Sequence, residues 1–195
     1  LYLSSRDNNP EHLELRQAFL LTNSAWISIS IFGSLPFLFS NLSLNFIDAF
    51  FESTSGITTT GSTIIPNLEQ VSYGILLWRA LLQWLGGIGI IVMAIAILPM
   101  LSIGGMQLFK AESYETPDKI IPRAAIFASG ISIVYIILTF VWALMLYFAG
   151  MPIFDSITHA MTTLATGGYS TKSESLGAFN SVNIEIIIVF GMIVG

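Results

Sequence analysis

Polar and apolar positions fall in long blocks along this chain. Residues 17–47, 80–109 and 124–154 contain no Asp, Glu, Lys or Arg. Each block exceeds the roughly 20 apolar residues that cross a bilayer core. A fourth apolar run opens near Asn183 and continues to Gly195. The pattern predicts spanning helices at about 18–40, 74–101 and 124–149. Gly33 and Pro36 fall near the far end of the first, where a kink or helix exit is tolerable. Trp26, Trp78, Trp84, Tyr135, Trp142 and Tyr147 are candidate interface anchors wherever they lie near a span end.

Two half-polar segments interrupt the blocks: FIDAFFESTSGITTTGST at 46–63 and IFDSITHAMTTLATGGYST at 153–171. Arg6 and Arg16 precede the first span, while Lys110, Lys119 and Arg123 lie between the second and third. By the positive-inside rule both basic regions are cytoplasmic. Segment 41–73 must then begin and end outside, and its helix-forming part is too short to cross. A re-entrant helix at 46–57 with a returning loop satisfies this topology, as does one at 153–164. Non-helical backbone at membrane depth is tolerated only when buried in protein or lining an aqueous path.

The two segments repeat. Asp48 and Asp155 are 107 residues apart, and the same offset pairs Gly61 with Gly168, Thr59 with Thr166 and Ser62 with Tyr169. It also carries the first span onto the third and places the next span near 181. The unit is span, short helix, Thr/Gly loop, span. Such a repeat in a membrane protein suggests pseudosymmetry about a pathway.

Composition agrees: 54% of the 195 residues are hydrophobic and 10% charged, with a mean hydropathy of +0.77. A soluble domain of this size needs a charged exterior that this chain cannot supply. The absence of cysteine removes disulfides and thiolate metal sites, and the net charge of −5 argues against nucleic acid. The start at Leu1 and the end within an apolar run suggest a piece of a longer protein, and no cleavable signal peptide is apparent. Asp48, Glu52, Glu69, Asp155, Glu174 and Glu185 give the outward side an acidic character that attracts cations.

The Thr/Gly clusters suit cation dehydration. Backbone carbonyls supply oxygens without a trapping net charge, and glycine lets successive carbonyls turn to one side. The short helices aim their partially negative C-termini inward. Candidate ion-binding residues are Thr58, Thr59, Thr60, Gly61 and Ser62 in one loop, and Ala165, Thr166, Gly167, Gly168 and Tyr169 in the other. Asp48 and Asp155 read as helix caps rather than ligands. GGIG at 86–89 lacks the rest of a phosphate loop and reads as close helix packing. Arg79, inside the second span, needs a partner: snorkelling to the interface, a salt bridge to Glu52 and an electrostatic barrier all remain open. His159 occupies the position of Glu52 in the repeat and reads as a packed, neutral side chain. No HExxH pattern occurs, and aspartates at helix starts do not suit intramembrane proteolysis. The chain reads as non-enzymatic and without a cofactor.

DAFFESTSGITTTGST, LLQWLGGIGIIVMAIAILPMLSIGGMQLFKAES and LATGGYST together resemble the Trk/Ktr/HKT superfamily of potassium transporters, above all its bacterial TrkH branch. The resemblance implies an all-α integral membrane protein with four M1–P–M2 units in pseudo-fourfold array around one potassium pathway. This chain corresponds to a cytoplasmic lead-in at 1–17, a first unit at 18–101, a linker at 102–123 and a second unit at 124–195, truncated in its last helix. The pore helices map to 46–57 and 153–164, the filter stretches to 58–62 and 165–169, and the filter glycines to Gly61 and Gly168. In related plant proteins a serine at the first such glycine accompanies sodium preference, so glycine here implies potassium. The resemblance further implies a multi-pass protein of a bacterial inner membrane with its filter loops outside. It implies a homodimer and a cytoplasmic nucleotide-binding partner of TrkA or KtrA type, with 102–122 a candidate contact. A sodium-coupled or less selective cation carrier and a non-conducting membrane scaffold are the alternatives.

Overall fold

The structure, a computed structural model, describes residues 15–101 and 120–195. Arg6, His12, Lys110, Lys119 and all but the last three residues of the candidate partner contact at 102–122 lie outside the described residues. Among the described residues six α-helices follow in order: α1 Leu15–Leu38, α2 Phe46–Ile57, α3 Tyr73–Leu101, α4 Ile120–Phe148, α5 Ile153–Leu164 and α6 Val182–Val194. Short 3-10 turns at Leu68–Gln70 and Ser175–Phe179 precede α3 and α6. The described residues contain no strand. Within α1, α3 and α4, the stretches Phe19–Leu38, Tyr73–Met93 and Ser129–Phe148 are long and apolar enough to cross a membrane.

The repeat is visible in the packing. Helix α1 lies on α2 as α4 lies on α5, and α3 packs against both short helices. Each half has its own apolar core: Phe37, Leu68, Leu76 and Leu82 in the first, and Leu146, Met151, Ile184 and Ile188 in the second. Left-handed residues before the short helices are also spaced by 107, at Ser43 and Gly150. The last helix departs from that spacing. Helix α6 starts 109 residues after α3, because the second 3-10 turn spans five residues and the first three.

In an apolar solvent, helices associate through close packing and hydrogen bonds rather than hydrophobic burial. GGIG at 86–89 serves such packing. A Cβ on Gly86 would overlap the Ile57 carbonyl at the end of α2, and one on Gly87 would come within 3.2 Å of Ala165 after α5. Gly195 stands against the Leu164 carbonyl as Gly86 stands against Ile57, again 109 residues on.

Most of the aromatic residues named as candidate interface anchors join helices. Trp78 Nε1 donates to Gly33 O at 2.9 Å, Trp142 Nε1 to Ile187 O at 3.0 Å, Trp84 Nε1 to the Thr139 hydroxyl at 2.9 Å and Trp26 Nε1 to Met93 Sδ at 3.3 Å. Tyr135 is buried against Trp84, and Tyr147 is exposed. The indole N–H needs an acceptor where water is absent, and a neighbouring helix provides it.

Candidate functional site

Each short helix ends in the same hydrogen-bonded cap. After α2, Thr60 N–H donates to Ser55 O at 3.0 Å and Thr59 N–H to Gly56 O at 3.0 Å. After α5, Gly167 N–H donates to Thr162 O at 2.9 Å and Thr166 N–H to Thr163 O at 2.9 Å. This is the Schellman arrangement, with a left-handed residue just past the helix. That residue is usually glycine; here it is Thr59 (φ 55°) and Thr166 (φ 52°). Two residues on, Gly61 (φ 80°) and Gly168 (φ 78°) are left-handed again. A non-glycine residue in this region costs on the order of 1–3 kcal/mol and persists only where its surroundings enforce it. Two such residues at equivalent positions mark both loops as deliberately shaped backbone.

The loops meet. A Cβ on Gly61 would overlap the Gly167 carbonyl, so these backbones are in direct contact, whereas a Cβ on Gly168 would enter open space. Thr59 and Thr166, with Leu164 and Ala165, line one cavity of about 140 Å³. Hydrogen bonds already hold two of the ten candidate carbonyls. Ser62 O accepts from the Ser55 hydroxyl at 2.6 Å, and Gly167 O accepts from Gln83 Nε2 at 2.8 Å. Thr58 Oγ1 bonds back to Thr54 O at 2.7 Å and lies 2.8 Å from Thr60 Oγ1.

Gln83 was not among the sequence candidates. Fully buried on α3, it grips the second loop with both ends of its amide, accepting from Tyr169 N–H at 3.1 Å as it donates to Gly167 O. An amide within an apolar span was the available signal, since such a group must find partners inside the protein.

Arg79 forms the salt bridge to Glu52, with Nε 2.7 Å from Oε1 and both side chains buried. Snorkelling is thereby excluded, because Arg79 is 1% exposed. Glu52 also accepts from the Thr63 hydroxyl at 2.9 Å and from Ile64 N–H at 3.2 Å. Arg79 Nη1 donates to Ser170 O at 3.0 Å, and its guanidinium lies 4.0 Å from the Tyr169 ring centroid. One ion pair thus touches the backbone just beyond both Thr/Gly loops. Glu52 and Asp155 are buried and committed to internal partners, so they do not add free charge to an acidic surface as the sequence suggested.

The aspartates are not the N-caps expected from sequence. Asn45 caps α2 by accepting from Asp48 N–H at 2.9 Å, and Asp48 stands in the first turn. Pro152 occupies the cap position of α5 without a side-chain bond. Asp155 instead accepts from the Thr171 hydroxyl at 2.6 Å, fastening the segment after the second loop. His159 is packed as expected, between Asp155 O (Nδ1, 2.8 Å) and the Ser170 hydroxyl (Nε2, 3.1 Å), with its ring edge-on to Phe179.

The two halves are also joined through their surface loops. Ser173 donates to Glu69 from its N–H (2.8 Å) and its hydroxyl (2.6 Å). These bonds hold the Glu69 carboxyl down at about 2, below its ordinary 4.5.

Comparison with known proteins gives a consistent result. The family model for TrkH, cation transport protein, matches residues 1–195. The chain is 48% identical over 170 residues to the Trk system potassium uptake protein TrkI of Halomonas elongata, covering 87% of this chain and 35% of that protein. It is 45% identical over 185 residues to TrkH of Salmonella typhimurium, covering 93% of this chain and 38% of the relative. The crystal structure of the potassium transporter TrkH from Vibrio parahaemolyticus superposes with a TM-score of 0.82 at 40% identity, over 97% of this chain and 38% of that one. The chain therefore spans little more than a third of the length of these relatives.

Proposed function

Starting from a chain that belongs to the TrkH family of cation transport proteins, we propose that it supplies two of the repeated pore units of a bacterial potassium uptake protein. The observation that carries this reading is the matched backbone of the two Thr/Gly loops. Left-handed residues recur at Thr59 and Gly61 and at Thr166 and Gly168, and the loops touch through Gly61 and Gly167. Alternating backbone handedness brings carbonyls of successive residues to one side, as replacement of a hydration shell requires. The Schellman caps satisfy the carbonyls of Ser55, Gly56, Thr162 and Thr163. With Ser62 O and Gly167 O held by Ser55 and Gln83, the oxygens left for the ion are those of Thr58–Gly61 and of Ala165, Thr166, Gly168 and Tyr169. Side chains behind the loops fix the backbone, so the oxygens need little reorganisation when an ion arrives.

On this reading the transported ion is potassium, moving through a path completed by further units of the full-length protein. The loops open to the outside of the inner membrane. A homodimer with a cytoplasmic nucleotide-binding subunit of TrkA or KtrA type is the assembly in which it works. Membership in a family of transport proteins agrees with a chain that is not an enzyme.

The test is Gly61→Ser and Gly168→Ser in the full-length protein, assayed for potassium against sodium transport in vesicles. Both substitutions place a side chain at positive φ. Gly168→Ser enters open space, and is expected to keep normal abundance while potassium preference falls by at least about tenfold, a change of about 1.4 kcal/mol in discrimination. Gly61→Ser also collides with Gly167 O and is expected to lose both preference and abundance. Unchanged preference in both variants at normal abundance would remove the filter assignment.

A further inference from the structure

Ser62 and Tyr169 are equivalent under the repeat, yet Tyr169 crosses into the other half to reach its counterpart. Its hydroxyl donates to Glu52 O at 2.9 Å and lies 3.3 Å from Ser62 O. Its ring carries the Arg79 guanidinium on one face, Gln83 holds its backbone N–H, and the residue is 4% exposed. A side chain from the second loop is therefore fastened to the main chain of the first, and its own position is fixed at the ring and the backbone.

We propose that Tyr169 is a positioning residue for ion discrimination, a strut that sets the spacing between the two loops. This rests on reading the loops as filter strands. Potassium and sodium differ in size by a fraction of an ångström, so discrimination by a carbonyl cage depends on what prevents that cage from contracting. Ser62 O accepts from the Ser55 hydroxyl within its own half, and the Tyr169 hydroxyl of the other half, whose one proton goes to Glu52 O, stands 3.3 Å from it. Only the Tyr169 hydroxyl resists relative movement of the strands. Arg79, held by Glu52, keeps the aromatic ring from swinging away.

The decisive variant is Tyr169→Phe in the full-length protein, which retains the ring and its contact with Arg79 but deletes the hydroxyl. The ratio of potassium to sodium transport in vesicles is expected to fall about fivefold at normal abundance, the equivalent of about 1 kcal/mol. A purely structural role would lower total transport without altering the ratio. In the Ser55→Ala, Tyr169→Phe double variant, the loss of ratio should differ from the product of the two single losses, because both hydroxyls stand at one carbonyl. A Tyr169→Phe ratio equal to wild type, with Gly168→Ser still lowering it, overturns the strut and leaves the filter reading intact. If neither variant alters the ratio, the filter reading falls and takes the strut with it. Should Tyr169→Phe accumulate poorly, the ratio is read from the protein that does insert, and a value equal to wild type overturns the proposal.

Discussion

Removing Arg79 should destabilise the protein more than removing both partners of its ion pair. Arg79→Met deletes the 2.7 Å contact to Glu52, the 3.0 Å bond to Ser170 O and the stacking on Tyr169. It leaves Glu52, fully buried, with only the Thr63 hydroxyl and Ile64 N–H to compensate its charge. Stranding one member of a buried pair typically costs about 3–5 kcal/mol. In Glu52→Gln, Arg79→Met the charge is gone, and the amide oxygen still accepts from Thr63 and Ile64. What remains lost is one hydrogen bond, about 1 kcal/mol, and a desolvated cation–π contact worth up to about 2 kcal/mol. The double variant should therefore be more stable than Arg79→Met by on the order of 1–2 kcal/mol. Unfolding of the full-length protein by SDS titration in mixed micelles orders the variants. Stability of Arg79→Met equal to wild type, or additive single effects within about 0.5 kcal/mol, would show that the pair contributes nothing as a pair.

Two further predictions concern glycine packing and pH. Gly86→Ala should destabilise by about 1–3 kcal/mol through overpacking, since its Cβ overlaps Ile57 O. Gly130→Ala, with nothing within 4 Å of the added carbon, should be neutral or gain up to about 1 kcal/mol from helix propensity; equal effects of both in the same unfolding assay would contradict the contact. Glu69 has its folded pKa lowered from 4.5 to about 2, so the stability it contributes is complete above 4.5 and lost as pH falls through about 2. Pepsin cleavage near Leu68 should rise between those values, and Glu69→Gln should abolish this pH dependence by making cleavage uniformly easier. A wild-type profile flat over that interval would count against the Glu69–Ser173 tie.

Much of the architecture was legible because a membrane forces it into composition. Charge-free blocks longer than a bilayer core leave little alternative to helices, and Asp48 and Asp155 fixed the repeat spacing. Sequence spacing could not reveal the 109-residue offset of α6, because the extra residues lie in a loop whose letters do not align. Nor could it assign the cap of α2 to Asn45 over Asp48, since both residue types cap helices and stand three positions apart. The left-handed Thr59 and Thr166 were hidden for a deeper reason. Threonine disfavours that conformation, so only the hydrogen bonds of the completed cap, acting with the packing around it, can hold it there. Gln83 and Tyr169 act on backbone 84–117 residues away in sequence, a relation invisible before the fold is known.

The departures from symmetry explain why one ion pair suffices. Glu52 has His159 as its repeat equivalent at an offset of 107, and Arg79 has buried Ile188 at an offset of 109. The second half therefore lacks both charges at the positions where the first half has them. Each buried ion carries a desolvation cost of several kcal/mol that its partner only partly offsets, so duplicating the pair gains little if one can serve both loops. Helix α3 makes that possible because it is the wall shared by α2 and α5. From α3, Arg79 takes Glu52 on one side and Ser170 with Tyr169 on the other, while Gln83 and Gly86 engage the ends of both halves. A cation at position 188 would lie on α6, beyond the shared wall, and could not bridge the same two loops. His159, packed between Asp155 O and the Ser170 hydroxyl, stands in the second half where the first half has its carboxylate. The asymmetry is what turns two repeated units into a single braced pair.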